Sequence, residues 1–363
     1  MPARSALPHL SVLLLLLACG APPLQHSPGP EAEALVEADE DTLGDAGADD
    51  LDILEDEDPG DALEDVGDAG VIEPEDPPED EEVEPDDDLP PDTGPQTPAW
   101  SAFSVASWNA NYNNPVSAVV AHVRTIDADV IGLQELGKKQ DARRIVDQLT
   151  CATCAWRAFH PQADNAHACP ILWKKEQFRL LASGHQRVNE RTIIHDGGSR
   201  SEMLVKSTVW VKLESRVTGA RFFVSNNHLV ASVEGANGHP RASASPARLA
   251  LYRQHMDGIV STIERAKRQK LPIFVTGDFN VDFRKDRVTR TPMFPSARFA
   301  AHDVFANWKY LGAPAGAGTH HARLIDSVHV TRAPAKVRPM KHAILGKGGS
   351  DHSAVRMRVR LYR

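Results

Sequence analysis

Between Arg4 and Trp100 the chain has no Lys, no Arg and no aromatic residue. A segment so poor in such groups cannot bury enough surface to offset the entropy of ordering it, which excludes a packed domain from residues 20–99. Long hydrophobic runs are equally scarce. The apolar stretch from Val12 to Ala18 is too short to span a bilayer, and no later stretch could cross one. Cysteine is rare too, four in 363 residues. CATC at 151–154 offers too few ligands for a zinc site, which leaves a Cys151 to Cys154 disulfide as the expectation and Cys169, in CPILW, as a small core residue. No internal repeat is evident.

What residues 31–92 do contain is acid: 30 Asp and Glu. The body from Trp100 to Arg363 has the opposite sign, 39 Lys and Arg against 20 Asp and Glu, so a formal net charge of -10 hides a body of +19. At the front, MPARSALPHLSVLLLLLACG joins one basic residue to an apolar stretch and a cysteine, the pattern of a signal peptide. Leu16-Leu17-Ala18-Cys19 resembles a bacterial lipobox, in which the cysteine is lipidated and becomes the mature N-terminus; ordinary cleavage is the alternative. The expectation is an exported chain in three parts: a lipoprotein signal peptide over 1–19, a disordered acidic Pro/Gly/Ala-rich linker over 20–99, and a folded basic domain over 100–363. Lipid on Cys19 implies a membrane partner and a place in the bacterial envelope, on the inner or outer membrane, with the domain outside the cytoplasm. The linker reads as a solvated spacer, and the second reading is that its carboxylates fold back on the basic body and compete with substrate.

The 264 residues of the body suit one large layered domain. Strand-like runs recur through it: FSVASW, DVIGLQ, AWRAFH, PILWK, MLVKSTVWVKL, RFFVSNN, LPIFVTG, LIDSVHV and AVRMRVRLY. Several are joined too closely for parallel crossovers, so much of the pairing is predicted to be antiparallel. Asn114-Pro115 reads as an N-cap with proline at the first helical position, opening a helix toward Ile126. Ser245-Pro246 repeats the device ahead of an apolar face of Leu249, Tyr252, Met256, Ile259, Val260 and Ile263. Strands and helices in this order predict an α/β class with two packed sheets and helices outside. In the last run Arg356, Arg358 and Arg360 share one face; the expectation is that they guard an edge strand against stray pairing, with DNA tracking as the alternative.

The chemistry gathers where strands end. PIFVTGDFN is apolar until Asp278 and Asn280, which a continued pleat of period two puts on one side; a plain Gly-Asp-Phe-Asn turn is the competing account. SWNAN puts Asn109 and Asn111 after FSVA, GLQE puts Gln134 and Glu135 after DVI, and SNNH puts Asn227 and His228 after RFFV. GGSDH sets Asp351 and His352 just before the last strand, and Asp326 lies in LIDSVHV. In antiparallel pairing the start of one strand lies beside the end of its neighbour, so these groups can meet at one rim. Singly, Asn109 could cap a turn, Glu135 could open a helix and His228 could be a satisfied core histidine. Their joint occurrence after apolar runs points to a site.

WNAN, LQE, NNH, GDFN, ID and SDH, in this order, resemble the endonuclease/exonuclease/phosphatase superfamily, related to deoxyribonuclease I and the exonuclease III type of repair enzymes, over Phe103 to Tyr362. The resemblance implies a four-layered α/β sandwich that hydrolyses phosphate esters with Mg²⁺ or Mn²⁺. It implies Glu135 as the central metal ligand, Asn109 assisting it and Asp351 completing or orienting the shell, a set suited to a hard cation. His352 is the implied contact to the scissile phosphate, with Asp326 fixing its tautomer. Asp278 and Asn280 align the attacking water, Asp278 being the preferred base, and His228 protonates the leaving oxygen or stabilises the phosphorane. Asn111, Gln134 and Asn227 support the set. This chain departs from the pattern twice: Asn227 stands where many relatives have threonine, and Ser327 where an aromatic residue is frequent, which removes a stacking contact with substrate.

A basic body suits a polyanion, so the leading reading is an exported, monomeric nuclease acting on DNA or RNA. Arg200, Arg241, Arg248 and Arg323 are candidate substrate contacts, each equally readable as solvated surface. The anchor favours the alternative, a phospholipid (sphingomyelinase-like) or inositol-phosphate hydrolase, although no clear apolar hairpin for entering a membrane is evident. A non-catalytic anion-binding module is a third reading, and the intact set of ligands with both histidines speaks against it.

Overall fold

Residues 97–196 and 199–363 are described here from a computed structural model. The expected signal peptide, its lipobox with Cys19, and the acidic linker as far as residue 96 lie outside the described residues. In chain order the elements are β1 (Trp100–Asn109), α1 (Val116–Ile126), β2 (Val130–Gln134), α2 (Asp141–Leu149), β3 (Trp156–Phe159), β4 (Ile171–Lys174), β5 (Phe178–Arg187), β6 (Thr192–Asp196), β7 (Ser199–Met203), β8 (Ser207–Ser215) and β9 (Arg221–His228). There follow α3 (Pro246–Arg268), β10 (Ile273–Asp278), α4 (Phe283–Thr289), α5 (Pro295–Ala300), β11 (Val304–Ala306), α6 (Asn307–Leu311), β12 (Asp326–Thr331), β13 (Val337–Ile344) and β14 (Val355–Tyr362). Among the described residues no helix is long and apolar enough to cross a membrane.

Two six-stranded sheets carry the fold, in the orders β13-β14-β1-β2-β4-β3 and β11-β12-β10-β9-β8-β5, with β6 and β7 as a separate hairpin. Each is built round one parallel pair, β1 with β2 and β9 with β10, flanked by antiparallel neighbours. Their central strands are buried on both faces, which is why FSVA and IFV read as unbroken apolar runs. Phe103 and Val105 point between the sheets, while Ala106 and Trp108 point to the helix layer of α1 and α2. Phe103, Phe178, Phe222 and Phe274 cluster between the sheets with ring centroids 5.0 to 5.7 Å apart, the spacing at which edge and tilted ring contacts are favourable. On the far side, Tyr252, Met256, Ile259 and Ile263 of α3 cover the second sheet. Helices therefore flank two packed mixed sheets, the α/β layering expected.

Toward one end the inter-sheet packing turns polar. Asn226 of β9 donates to the carbonyls of Leu133 (2.6 Å) and Pro170 (3.0 Å), and its oxygen accepts from Gln134 Nε2 (2.6 Å) and Thr276 Oγ1 (3.0 Å). The sheets can approach this closely only because β2 has Gly132 there. A Cβ on it would sit 2.3 Å from Thr276 Oγ1.

Several local expectations are corrected. Ser245 does cap α3, its Oγ accepting from Arg248 N at 3.2 Å with Pro246 in the first turn. Asn114 does not cap α1: Pro115 holds the cap position in extended geometry, and the Asn114 amide donates to Ala110 O instead. MLVKSTVWVKL is not one strand but the end of β7, a break at 204–206, and β8. The arginines of β14 do not guard an edge, because β14 lies between β13 and β1. The true edge, β13, escaped notice because Pro339 sits at its bulge and its apolar alternation is broken. Cys151 and Cys154 form a disulfide, and Cys169 is a buried free thiol that burial pushes up to about 12.

Candidate active site

The carboxyl ends of β1, β2, β9 and β10 and the amino ends of β12 and β14 meet at one rim. Three residues there have left-handed backbones: Asn111 (φ 63°), Glu135 (φ 59°) and Asn280 (φ 55°). Asn tolerates that region, but Glu135 carries a strain of roughly 1–2 kcal/mol, which turns its side chain out of the strand direction into the cleft. β10 stops at Asp278, so no pleat extends to Asn280. The two residues are neighbours through a turn in which Asn280 N donates to Asp278 Oδ1 at 2.9 Å, the competing account given above.

From sheet one, Asn109 Nδ2 donates to Glu135 Oε1 at 2.6 Å and reaches Asp278 Oδ2 across the cleft at 3.3 Å. His228 Nε2 lies 3.6 Å from Glu135 Oε1 and 3.7 Å from Asp278 Oδ2. From sheet two, Asp326 Oδ2 receives His352 Nδ1 at 2.9 Å, which leaves His352 Nε2 facing the cleft, 3.8 Å from Asp278 Oδ2. Ser350 Oγ holds this corner by donating to Asn109 O and accepting from His352 N. Asn109, Glu135, His228, Asp278, Asp326 and His352 thus form one continuous cluster. All six are buried.

Burial, then the charge of Asp326, pushes the Asp278 carboxyl up to about 7. Burial opposes the charged imidazole of His352, but the carboxylates of Asp326 and Asp278 outweigh it and push the group up to about 10. His228 moves the other way: burial, with the cationic Lys206 and His352 nearby, holds it well below the usual histidine range, so it stands as a neutral imidazole. The His320 imidazole, aided by the Asn111 amide, holds Asp351 well below the usual carboxylate range.

Asp351 sits beside this cluster, half-exposed, receiving Asn111 Nδ2 at 3.1 Å and lying 3.4 Å from His320 Nε2. Among the described residues, the sets of three His, Asp, Glu or Cys ligand atoms lying within 4.8 Å of one another are His320/Asp351/His352 and Asp278/Asp326/His352. The oxygens of Glu135 and Asp278 nevertheless converge on the same Asn109 amide, a concentration of hard anionic donors that fits a hard divalent cation. As placed, Asn109 turns its nitrogen toward Glu135 and its oxygen toward Asn111 N, so serving as an oxygen ligand requires its amide to rotate.

Other predicted residues lie elsewhere. Gln134 belongs to the inter-sheet seam beneath the rim. Asn227 faces away, bonded to Ser225 Oγ and Thr276 O, and it is Asn226, not singled out from sequence, that faces the partner sheet. Arg248 is tied to Asp196 at 2.5 Å, Arg241 to Ser243 Oγ at 2.8 Å, and Arg323 to Glu234 and the carbonyl of Asn280, both at 3.1 Å; Arg200 is exposed on β7. Two further residues were missed. His320 stacks on His352 with ring centroids 4.5 Å apart, and its only signal was a His-His pair in a loop of Gly and Ala. Lys206, buried just before β8, carried no signal beyond interrupting an apolar run.

The pattern of the Endonuclease/Exonuclease/phosphatase family matches residues 106–352. Among solved structures, an endonuclease/exonuclease/phosphatase from Bacteroides vulgatus superposes with a TM-score of 0.51 at 19% identity, covering 72% of this chain and 99% of its own. The human Nocturnin catalytic domain, solved with a bound sulfate anion, gives 0.51 at 14% over 71% and 94%. ANGEL2, described as a 2',3'-cyclic phosphatase and solved with adenosine-2',3'-vanadate, gives 0.50 at 15% over 73% and 97%. At such identities the likeness speaks for the fold. No curated protein matches the chain.

Proposed function

The chain belongs to the endonuclease/exonuclease/phosphatase family, whose members are phosphoester hydrolases, and from that premise we propose a metal-dependent phosphodiesterase that cuts nucleic acid, DNA foremost. The observation that carries the reaction class is the buried His352–Asp326 pair at 2.9 Å, set opposite Asp278. A charged His352, locked through Nδ1, presents Nε2–H to a non-bridging phosphate oxygen and stabilises the charge that grows there during attack. Asp278, with its proton affinity raised toward neutrality, takes the proton of the attacking water as the new oxygen–phosphorus bond forms. Asn280 aligns that water. His228, being neutral, donates a hydrogen bond to the phosphorane and then to the leaving oxygen, which departs with the electron pair of the broken phosphorus–oxygen bond and takes its proton from solvent water. Glu135, Asn109 and, by orienting them, Asp351 would hold Mg²⁺ or Mn²⁺, which supplies Lewis-acid stabilisation when bound.

Charge supports the nucleic-acid reading: a +19 body gains affinity for a polyanion by releasing its counterions. The lipobox-like Leu16-Leu17-Ala18-Cys19 supports an exported chain anchored by lipid on Cys19, and it also favours the second reading, a phospholipid or inositol-phosphate hydrolase. The test is hydrolysis by the full chain of DNA, RNA, sphingomyelin and a small phosphomonoester, each with and without Mg²⁺. Mg²⁺-dependent cleavage of DNA with a steep salt dependence is expected. Turnover of sphingomyelin alone would overturn the nucleic-acid reading. Mass spectrometry of the mature N-terminus checks the anchor, and an unmodified terminus downstream of Cys19 would remove it.

A further inference from the structure

The arginine stripe of β14, denied its role as edge protection, needs another account. On the outer face of sheet one, Arg360 stands in register with Arg338 of β13 and Ala102 of β1, and Arg358 with Lys341 and Ser104. Like charges placed directly opposite on one sheet face repel and destabilise the pairing. No described acidic side chain pairs with Arg338, Lys341, Arg358 or Arg360. Arg360 lies over the half-exposed Trp100 ring at 4.0 Å, and its Nε is buried without a hydrogen-bond partner among the described residues. Small neighbours on β1 leave a cavity of about 360 Å³, lined among others by Ala102, Ser104, Lys174, Lys341, Arg356 and Arg358. Its two acids, Asp127 and Asp129, are already engaged by Lys174 at 3.3 and 2.9 Å. Arg356 caps α1 by donating to the carbonyls of Ile126 and Asp127.

Unbalanced cations around a cavity are satisfied by an anion with several acceptor oxygens. We infer that this face is a second phosphate-binding site, holding the backbone of the nucleic-acid substrate away from the scissile bond; in naming that ligand it rests on the nuclease reading. It lies toward the other end of β1 from Asn109, whose position is five residues from Ser104 and seven from Ala102, or roughly 16–24 Å at the rise of a strand. A substrate must be long to use both sites. Short substrates are cut without it.

The test compares the full chain with Lys341→Glu/Arg358→Glu, and with Lys341→Gln/Arg358→Gln should charge reversal prevent folding. Binding of a labelled duplex of about 30 base pairs is measured in the His352→Ala background across a salt series. The site predicts a log-log salt slope shallower by about 2, the share of two cations at roughly 0.9 each, and, with His352 retained, a raised KM for long DNA and unchanged turnover of a small phosphodiester. An unchanged slope and KM in a folded variant overturn the site while leaving the nuclease reading intact. If the parent chain neither binds nor cuts nucleic acid, the nuclease reading falls. Binding of inorganic tripolyphosphate then decides: its loss in the variant retains an anion site, and equal binding overturns it.

Discussion

The two sheets deliver the same kind of strand end to the rim but in different electrostatic states. Sheet one brings Asn109, Glu135 and the half-exposed Asp351, whose carboxyl is held low by His320 and Asn111. Sheet two brings His228, Asp278 and Asp326, all buried, with Asp278 pushed up to about 7. The first half holds negative charge at two depths, on the buried Glu135 and on Asp351 near solvent, where a cation can exchange. The other keeps a proton whose location burial decides. A shared topology has been divided between holding charge and moving protons.

The comparison breaks most visibly if both halves fail alike. Asp278→Asn is expected to lower kcat by about 10³–10⁴-fold, the upper range for a positioned base, with no recovery at any metal concentration. Glu135→Gln is expected to lose activity as severely at low Mg²⁺ but to regain part of it as Mg²⁺ or Mn²⁺ is raised, with thermal unfolding of the metal-free protein nearly unchanged. Metal titrations of the two variants that superimpose would abolish the distinction between the halves.

A smaller effect sharpens it. His352 is charged up to about 10 because Asp326 and Asp278 overcome its burial, so activity that needs the imidazolium is lost as pH rises through that value. Asp326→Asn removes one of those carboxylates, and the alkaline limb should move to lower pH along with a fall in kcat of about 10–100-fold. An alkaline limb that stays in place would assign it to another group.

Acid stability provides a third comparison. His255 on α3 and His329, ringed by Phe279 and Phe299 at 4.7 and 4.9 Å, are both buried and lowered to about 3 by desolvation. Their folded values lie below the unfolded 6.5, so each favours folding fully above pH 6.5 and loses that contribution as pH falls toward 3. The difference in unfolding free energy between wild type and His329→Leu should therefore change by about 1.4 kcal/mol per pH unit across that window. Both histidines belong to the second sheet's side, so hydrogen exchange on acidification should show that side opening first. The smallest effect is expected from reducing Cys151–Cys154: closing so short a loop contributes at most about 2 kcal/mol, and activity should not change.

Strand ends were legible because the switch from apolar to polar is a one-dimensional signal. Asn109, Glu135, His228, Asp278, Asp326 and His352 all follow or precede such a switch, and all six meet. The rest depends on which way a residue faces across the gap between sheets. Asn226 and Asn227 are adjacent asparagines, and only packing against Gly132 decides that Asn226 looks across. β13 was hidden by Pro339, and with it the fact that β14 is an inner strand. The four arginines proposed near the rim were chosen by proximity in sequence, and Arg241, Arg248 and Arg323 proved to be engaged by neighbours within the protein.

Asn226 spends both amide hydrogens and accepts two hydrogen bonds on its oxygen, all in one buried seam between the sheets. That arrangement behaves as a dovetail. Sliding one sheet past the other by even a fraction of a strand step would break several of these bonds together and leave buried polar groups unpaired. The catalytic rim therefore cannot adapt to a substrate by shear, and a displacement at Glu135 is transmitted to Asp278 as a rigid movement. Adaptation must fall to the loops above the rim, so swapping those loops should retune which phosphoester is accepted without disturbing the chemistry beneath them.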